Sequence, residues 1–181
     1  DAMEALGYAT DACETRLGAA MMLLESGAVA RARGLAASLA AVVPRLGVAA
    51  LAQQLAWLEA RISEAQGDVA RAGQQYEALL DATDTPDLAP MRAAVAADLG
   101  FLRLRGGDIE RGAAAAQQAM AGSPLPVESH LLQAAISSRQ GNPAATAAHM
   151  GAARLRAGEG WRVRWAGLAD EFLAAAAPAS P

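Results

Sequence analysis

Four glycines recur where helical hairpins would turn: Gly27, Gly67, Gly107 and Gly141. The first three are spaced by 40 residues and the last by 34. Each precedes a short, alanine-rich, helix-compatible run: AVARARGLAASLAAVVP, DVARAGQQYEALLD, DIERGAAAAQQAM and NPAATAAHMGAARL. A turn recurring at such a period predicts stacked helix pairs, a repeat solenoid rather than a closed globule. A chain of that kind works through a surface, so a binding face is sought before a catalytic cleft.

Composition supports helices and excludes several partners. Of the 181 residues, 54% are hydrophobic, yet only 4% are aromatic. Much of the apolar share is alanine, the best helix former, whose small side chain lets helices pack close. Val and Ile are scarce and no stretch alternates polar with apolar, so an all-α chain without strands is expected. The net charge of −4 and scattered arginines do not make the basic stripe of a nucleic-acid binder. The densest basic group is Arg154, Arg156, Arg162 and Arg164. It reads as a solvated edge near the last helix, with a phosphate-binding patch as the alternative. Every basic side chain is Arg and none is Lys, which, with the alanine, reads as the GC-rich coding bias of a bacterial source. Cys13 is the sole cysteine, so no intramolecular disulfide can form, which fits a reducing compartment. No apolar run is long and uninterrupted enough to span a membrane. The expected setting is cytoplasmic, or periplasmic if a signal peptide or anchor has been removed. The opening DAMEALGYAT has no initiator Met and no basic leader, and the closing APASP resembles a linker, so a piece of a longer chain is expected.

The helix pairs are expected at about 2–44, 45–84, 87–123 and 126–157, followed by a capping helix at 160–177 and a disordered tail at 178–181. Together they are read as a single domain over 1–177. The first helix is expected from Ala2 to Ser26, with a break near Gly7–Thr10, and the second is expected to run to Val43, where Pro44 stops it. Leu51, Leu55, Leu58 and Ile62 mark the buried face of the third helix, before Gly67 turns the chain and Asp68 caps the next. Thr85-Pro86, or Asp87 near Pro90, starts the third pair, and Ser123-Pro124-Leu125-Pro126 ends it. Asn142 is a cap and Pro143 a first helical residue for the last pair. Trp161, Trp165, Leu168 and Phe172 then form one heavy apolar stripe, expected to close the exposed end of the stack. The alternatives are a partner-binding helix and an end-to-end homodimer through Trp161, Trp165 and Phe172.

These residues resemble tetratricopeptide repeats. The family's turn appears as Gly67-Asp68, Gly107-Asp108 and Gly141-Asn142. Its small residue in the middle of the first helix appears as Ala20, Ala60, Gly100 and Ala134. Its early second-helix residue appears as Ala32, Ala72, Gly112 and Thr146. The bulky residue four later is Tyr76 and Met150, but Ala36 and Ala116 in the other two pairs. The terminal proline is Pro44 and Pro124, and Leu99-Gly100 matches the family's leucine-glycine step. The resemblance covers residues 10–157. The chain departs from the family in lacking most first-helix Trp and Tyr residues and in its longer period, which also suits a related or differently curved helical-hairpin repeat.

The resemblance implies a right-handed superhelical solenoid of antiparallel helix pairs, with the first helices lining a concave, partner-binding groove. Matching positions puts Leu17, Met21 and Leu24 on that groove, then Trp57, Arg61 and Glu64, then Phe101, Leu104 and Arg105, and finally Leu131, Ser138 and Arg139. An apolar centre with basic edges suits an extended or helical segment bearing apolar and acidic side chains. The alternative buries Trp57 and Phe101 between adjacent pairs and makes Leu104 ordinary core. The lysines of the family's carboxylate clamp are absent. No catalytic constellation stands out: His130 and His149 lack further ligands for a metal. The Asp11/Glu14 and Glu59/Glu64 pairs read as solvated, and the Gly106-Gly107-Asp108 turn lacks the rest of a phosphate loop. A non-enzymatic adaptor without cofactor or metal is expected, binding a protein or peptide. The alternative is a regulatory or sensory domain of a larger bacterial protein.

Overall fold

The computed structural model describes residues 2–121 and 125–173, with side chains from residue 7 onward. All regular structure among them is helical. The order is α1 (Ala2–Glu25), α2 (Val29–Ala40), a one-turn α3 (Val43–Leu46), α4 (Ala49–Ala65), α5 (Val69–Ala82), a 3-10 turn (Pro86–Leu88), α6 (Ala89–Arg105), α7 (Ile109–Ala119), α8 (Val127–Arg139), α9 (Pro143–Ala157) and α10 (Val163–Leu173). None is long and apolar enough to cross a membrane. The chain divides into two compact units, Asp1–Thr83 and Asp84–Pro181, where the sequence suggested one array.

The turn is the same four times. Gly27, Gly67, Gly107 and Gly141 have φ of 80°, 80°, 79° and 70°. In each case the glycine N–H donates three residues back and the next residue's N–H donates five back: Gly67 to Glu64 at 2.9 Å and Asp68 to Ser63 at 3.0 Å, Gly107 to Leu104 and Asp108 to Arg103 likewise. This is the Schellman arrangement, which satisfies the last carbonyls of a helix and requires a left-handed residue that glycine adopts without strain. Asp68, Asp108 and Asn142 then cap the following helix, accepting from the N–H groups of Arg71, Arg111 and Ala145.

In unit 1, α1 pairs with α2 and α4 with α5, and α4 also packs against both α1 and α2. Leu17, Leu24, Leu39, Leu51, Leu55 and Leu58 fill this core. In unit 2, α6 pairs with α7 and α8 with α9; α8 packs against both α6 and α7, and α10 lies along α8. The small residues of the repeat are where backbones close up. Ala20, Ala60 and Ala134 are wholly buried, as are Ala32 and Ala72. A Cβ on Gly112 would come within 2.9 Å of Leu104 Cδ2.

Local expectations need four corrections. α1 is continuous through Gly7–Thr10, so no new cap forms there. α2 ends at Ala40, before the proline, and Pro44 instead lies in the first turn of α3, where a missing N–H costs nothing. Val43 beside it is 1% exposed and plugs the unit 1 core. α10 starts at Val163, leaving Trp161 ahead of the helix. Ser123, Pro124 and the stretch 174–181 lie outside the described residues.

Candidate functional site

The residues expected on the first-helix face fall into two sets, one in each unit. In unit 1, Leu17 and Leu24 are buried among Leu51, Leu55 and Leu58, so they are core rather than surface. Met21 from α1 and Trp57, Arg61 and Glu64 from α4 stay half-buried, and the first three meet around the Arg61 guanidinium. Arg61 Nη1 approaches Met21 Sδ at 3.2 Å, its Nη2 lies 3.6 Å from Glu25 Oε1, and its guanidinium sits 5.9 Å from the Trp57 ring centroid. Tyr76 on α5 donates to Glu64 Oε2 at 2.6 Å. The result is a face with an aromatic, a thioether and ordered charge of both signs.

In unit 2, Leu104 and Leu131 are buried core, and Phe101 is buried too. What covers Phe101 is α10. Phe172 packs on it with ring centroids 5.2 Å apart. The guanidinium groups of Arg105 and Arg139 lie 5.5 and 5.8 Å from the Phe172 ring centroid. Arg105 also donates twice to the Glu171 carboxylate, at 2.7 and 2.8 Å, a forked geometry that lysine could not supply. Arg164 pairs with Asp98, which is 1% exposed, and Trp165 Nε1 donates to Glu128 Oε1 at 2.7 Å. So α10 lies along α8 and reaches back to α6, the first helices of successive hairpins. α10 docks on the last hairpin through α8 rather than through α9, which buries only Ala153. Trp165 and Phe172 are themselves buried within the unit, so they do not present the exposed stripe that an end-to-end homodimer was expected to use.

The basic cluster is likewise committed within unit 2. Arg154 stacks 3.7 Å from the Trp161 ring centroid, Arg162 lies 5.0 Å from that of Trp165, and Arg156 donates to the Leu125 carbonyl at 3.2 Å. Burial first, then electrostatic opposition from His149 and Arg156, lowers the His130 pKa below the usual histidine value. Among the described residues no group of three or more His, Cys, Asp or Glu could hold a metal ion. Between α4 and α5 lies a cleft of about 370 Å³, lined by Ala52, Ala56, Glu59 and Ala78 with Gln53 and Gln75. The Oε1 atoms of both glutamines are buried without hydrogen-bond partners among the described residues.

No family model, characterised protein or solved structure matches this chain. The site therefore rests on its own geometry. Sequence reasoning placed Leu17, Met21, Leu24, Trp57, Arg61, Phe101, Leu104, Arg105, Leu131 and Arg139 along one groove; Met21 and Trp57 lie around Arg61 in unit 1, and Phe101, Arg105 and Arg139 lie around Phe172 in unit 2. It missed Glu25, Asp98 and Glu171, which complete ion pairs, and Glu128, which accepts from the Trp165 indole, and it read Arg164 as part of a solvated edge rather than as the partner of Asp98. Asp98 carried a signal: it is a lone carboxylate within the apolar stretch AAVAADLGFL. Glu128 and Glu171 carried none, because acidic residues on helices are usually solvated.

Proposed function

We propose that this chain is a non-enzymatic protein-interaction module, a divergent tetratricopeptide-like superhelical array whose first-helix face binds a helical or extended segment of a partner protein. One observation carries the reading: in unit 2 that face already holds a helix, through a buried aromatic and flanking charge pairs. Aromatic and arginine side chains are the usual energetic anchors of interfaces. The repeated Schellman turns and the seating of α4 and α8 against both helices of the preceding hairpin support the repeat architecture. A buried single cysteine and the acidic balance fit a cytoplasmic adaptor.

The test is selection of helical peptides from a displayed library against the folded chain. Selected binders are expected to lose about tenfold or more in affinity on Trp57→Ala or Arg61→Ala. Binders indifferent to both substitutions, and to Met21→Ala, would remove the first-helix face from the proposal.

A second reading, a sensory domain holding a small effector, is favoured by the α4–α5 cleft and its two orphaned amide oxygens. Such a ligand would donate hydrogen bonds. A small-molecule thermal-shift screen that finds a stabiliser abolished by Gln75→Leu would support it.

A further inference from the structure

The charges that hold α10 also fix its direction. Asp98 and Arg105 are seven residues apart on α6 (105 − 98 = 7), and their partners Arg164 and Glu171 are seven apart on α10 (171 − 164 = 7). Asp98 meets Arg164 and Arg105 meets Glu171, so the two helices run the same way in register. Turning α10 end for end would set Arg164 against Arg105 and Glu171 against Asp98, two like-charge contacts in place of two attractions. A helix-binding surface discriminates by such repulsive alternatives as much as by attraction. Trp165, Leu168 and Phe172 supply the apolar stripe, and all three are buried. The anchor residues are few and the outer ion pair is partly exposed, with Arg105 at 36% and Glu171 at 41%. A linker of residues 158–162 joins this helix to α9.

Resting on the interaction reading above, we propose that the α6–α8 face is a polarity-selective helix-binding surface and α10 its tethered occupant. The partner it fits is an amphipathic helix with arginine at one position, an aromatic at the next, leucine four after the arginine, glutamate seven after it and phenylalanine eight after it. Such a helix competes with α10 for Phe101, Arg105, Arg139, Asp98 and Glu128. The short tether holds α10 at high effective concentration, so a partner gains access when the docking of α10 is weakened.

The experiment uses the full chain and a fluorescein-labelled synthetic peptide spanning residues 161–173, read by fluorescence anisotropy. Glu171→Arg opposes Arg105 and loosens the chain's own helix, so the peptide is expected to bind about tenfold tighter than to the unaltered chain. Adding Arg105→Glu rebuilds the pair with reversed sign, repels the peptide's glutamate and should cancel that gain. Circular dichroism and a cooperative unfolding transition check folding of each variant. Glu171→Gln, a milder change, serves if the reversal does not fold, with a gain of about threefold expected. No gain in a folded variant would overturn the proposal. A Glu171→Arg dimer in light scattering, without peptide binding, would assign the face to a second copy and also overturn it. Failure here, with library peptides still sensitive to Trp57 and Arg61, would leave the general interaction reading standing.

Discussion

Phe172 of α10 and Phe101 of α6 face each other at 5.2 Å between ring centroids, inclined by 38°. The contact joins residues 71 apart in sequence (172 − 101 = 71), and both rings are buried. Removing a buried aromatic ring loses its transfer energy and leaves a cavity that neighbours only partly refill. Phe172→Ala is expected to destabilise unit 2 by about 3 kcal/mol. Urea unfolding followed by tryptophan fluorescence, which reports on Trp161 and Trp165 nearby, measures it. An unchanged midpoint would mean that α10 contributes nothing to the unit's core.

The Asp98–Arg164 pair makes a second demand. Asp98 is 1% exposed, so its charge depends on what protein groups supply. Arg164→Ala takes a cation from a carboxylate that water barely reaches, at a cost of about 3 kcal/mol. Replacing both partners by apolar residues, Asp98→Leu with Arg164→Met, should recover most of that loss, because no buried charge is left unpaired. A double-mutant cycle in urea gives the coupling. Additive losses would show the pair to be uncoupled.

Two helix glycines are expected to behave oppositely. A methyl on Gly100 would fall on Leu132 Cδ2, a fully buried side chain with little room to move. The gain of about 1 kcal/mol in helix propensity is then outweighed by about 1–3 kcal/mol of overpacking. Gly100→Ala should lower the melting temperature, and adding Leu132→Val should relieve it. Gly18, on the exposed side of α1, has nothing within 4 Å of the same added atom. Gly18→Ala should stabilise by about 0.5–1 kcal/mol. Equal melting shifts at the two sites would refute the close approach of α6 and α8.

His130 sets a pH dependence whose sign follows from burial. Its Nδ1 is buried with no hydrogen-bond partner among the described residues, and His149 and Arg156 oppose its charge. The folded state therefore holds the proton less tightly than the unfolded chain. Stability is full above the ordinary histidine range, near 6.5, and declines as pH falls through the lowered folded value. His130→Gln should flatten that decline between about pH 7 and pH 5. Denaturant midpoints across this window test it; an equal slope in the variant would place the effect elsewhere.

The hairpin boundaries were legible because local chemistry decides them. A left-handed glycine followed by Asp or Asn specifies a helix stop and a helix start within three residues, so Gly67-Asp68, Gly107-Asp108 and Gly141-Asn142 could be read directly. Pro44 misled because proline both ends a helix and opens one, and only the burial of Val43 selects between the two. The one-position ambiguity of a helical face explains the mixed outcome at the surface. Met21 and Arg61 lie on the face, while Leu17, Leu24, Leu104 and Leu131 sit a fraction of a turn away and enter the core.

Local sequence by itself therefore determined that this protein is helical, where its hairpins turn and which small residues let their backbones meet. Backbone conformational preference and side-chain volume act over a few residues and leave a periodic trace. Where α10 lies was decided only in three dimensions. Its stripe of Trp165, Leu168 and Phe172 needed an apolar partner, and any large hydrophobic surface would have satisfied the pattern. Selection among such surfaces came from Asp98, Arg105 and Glu128, distant charges that match Arg164, Glu171 and the Trp165 indole only once α6 and α8 stand side by side.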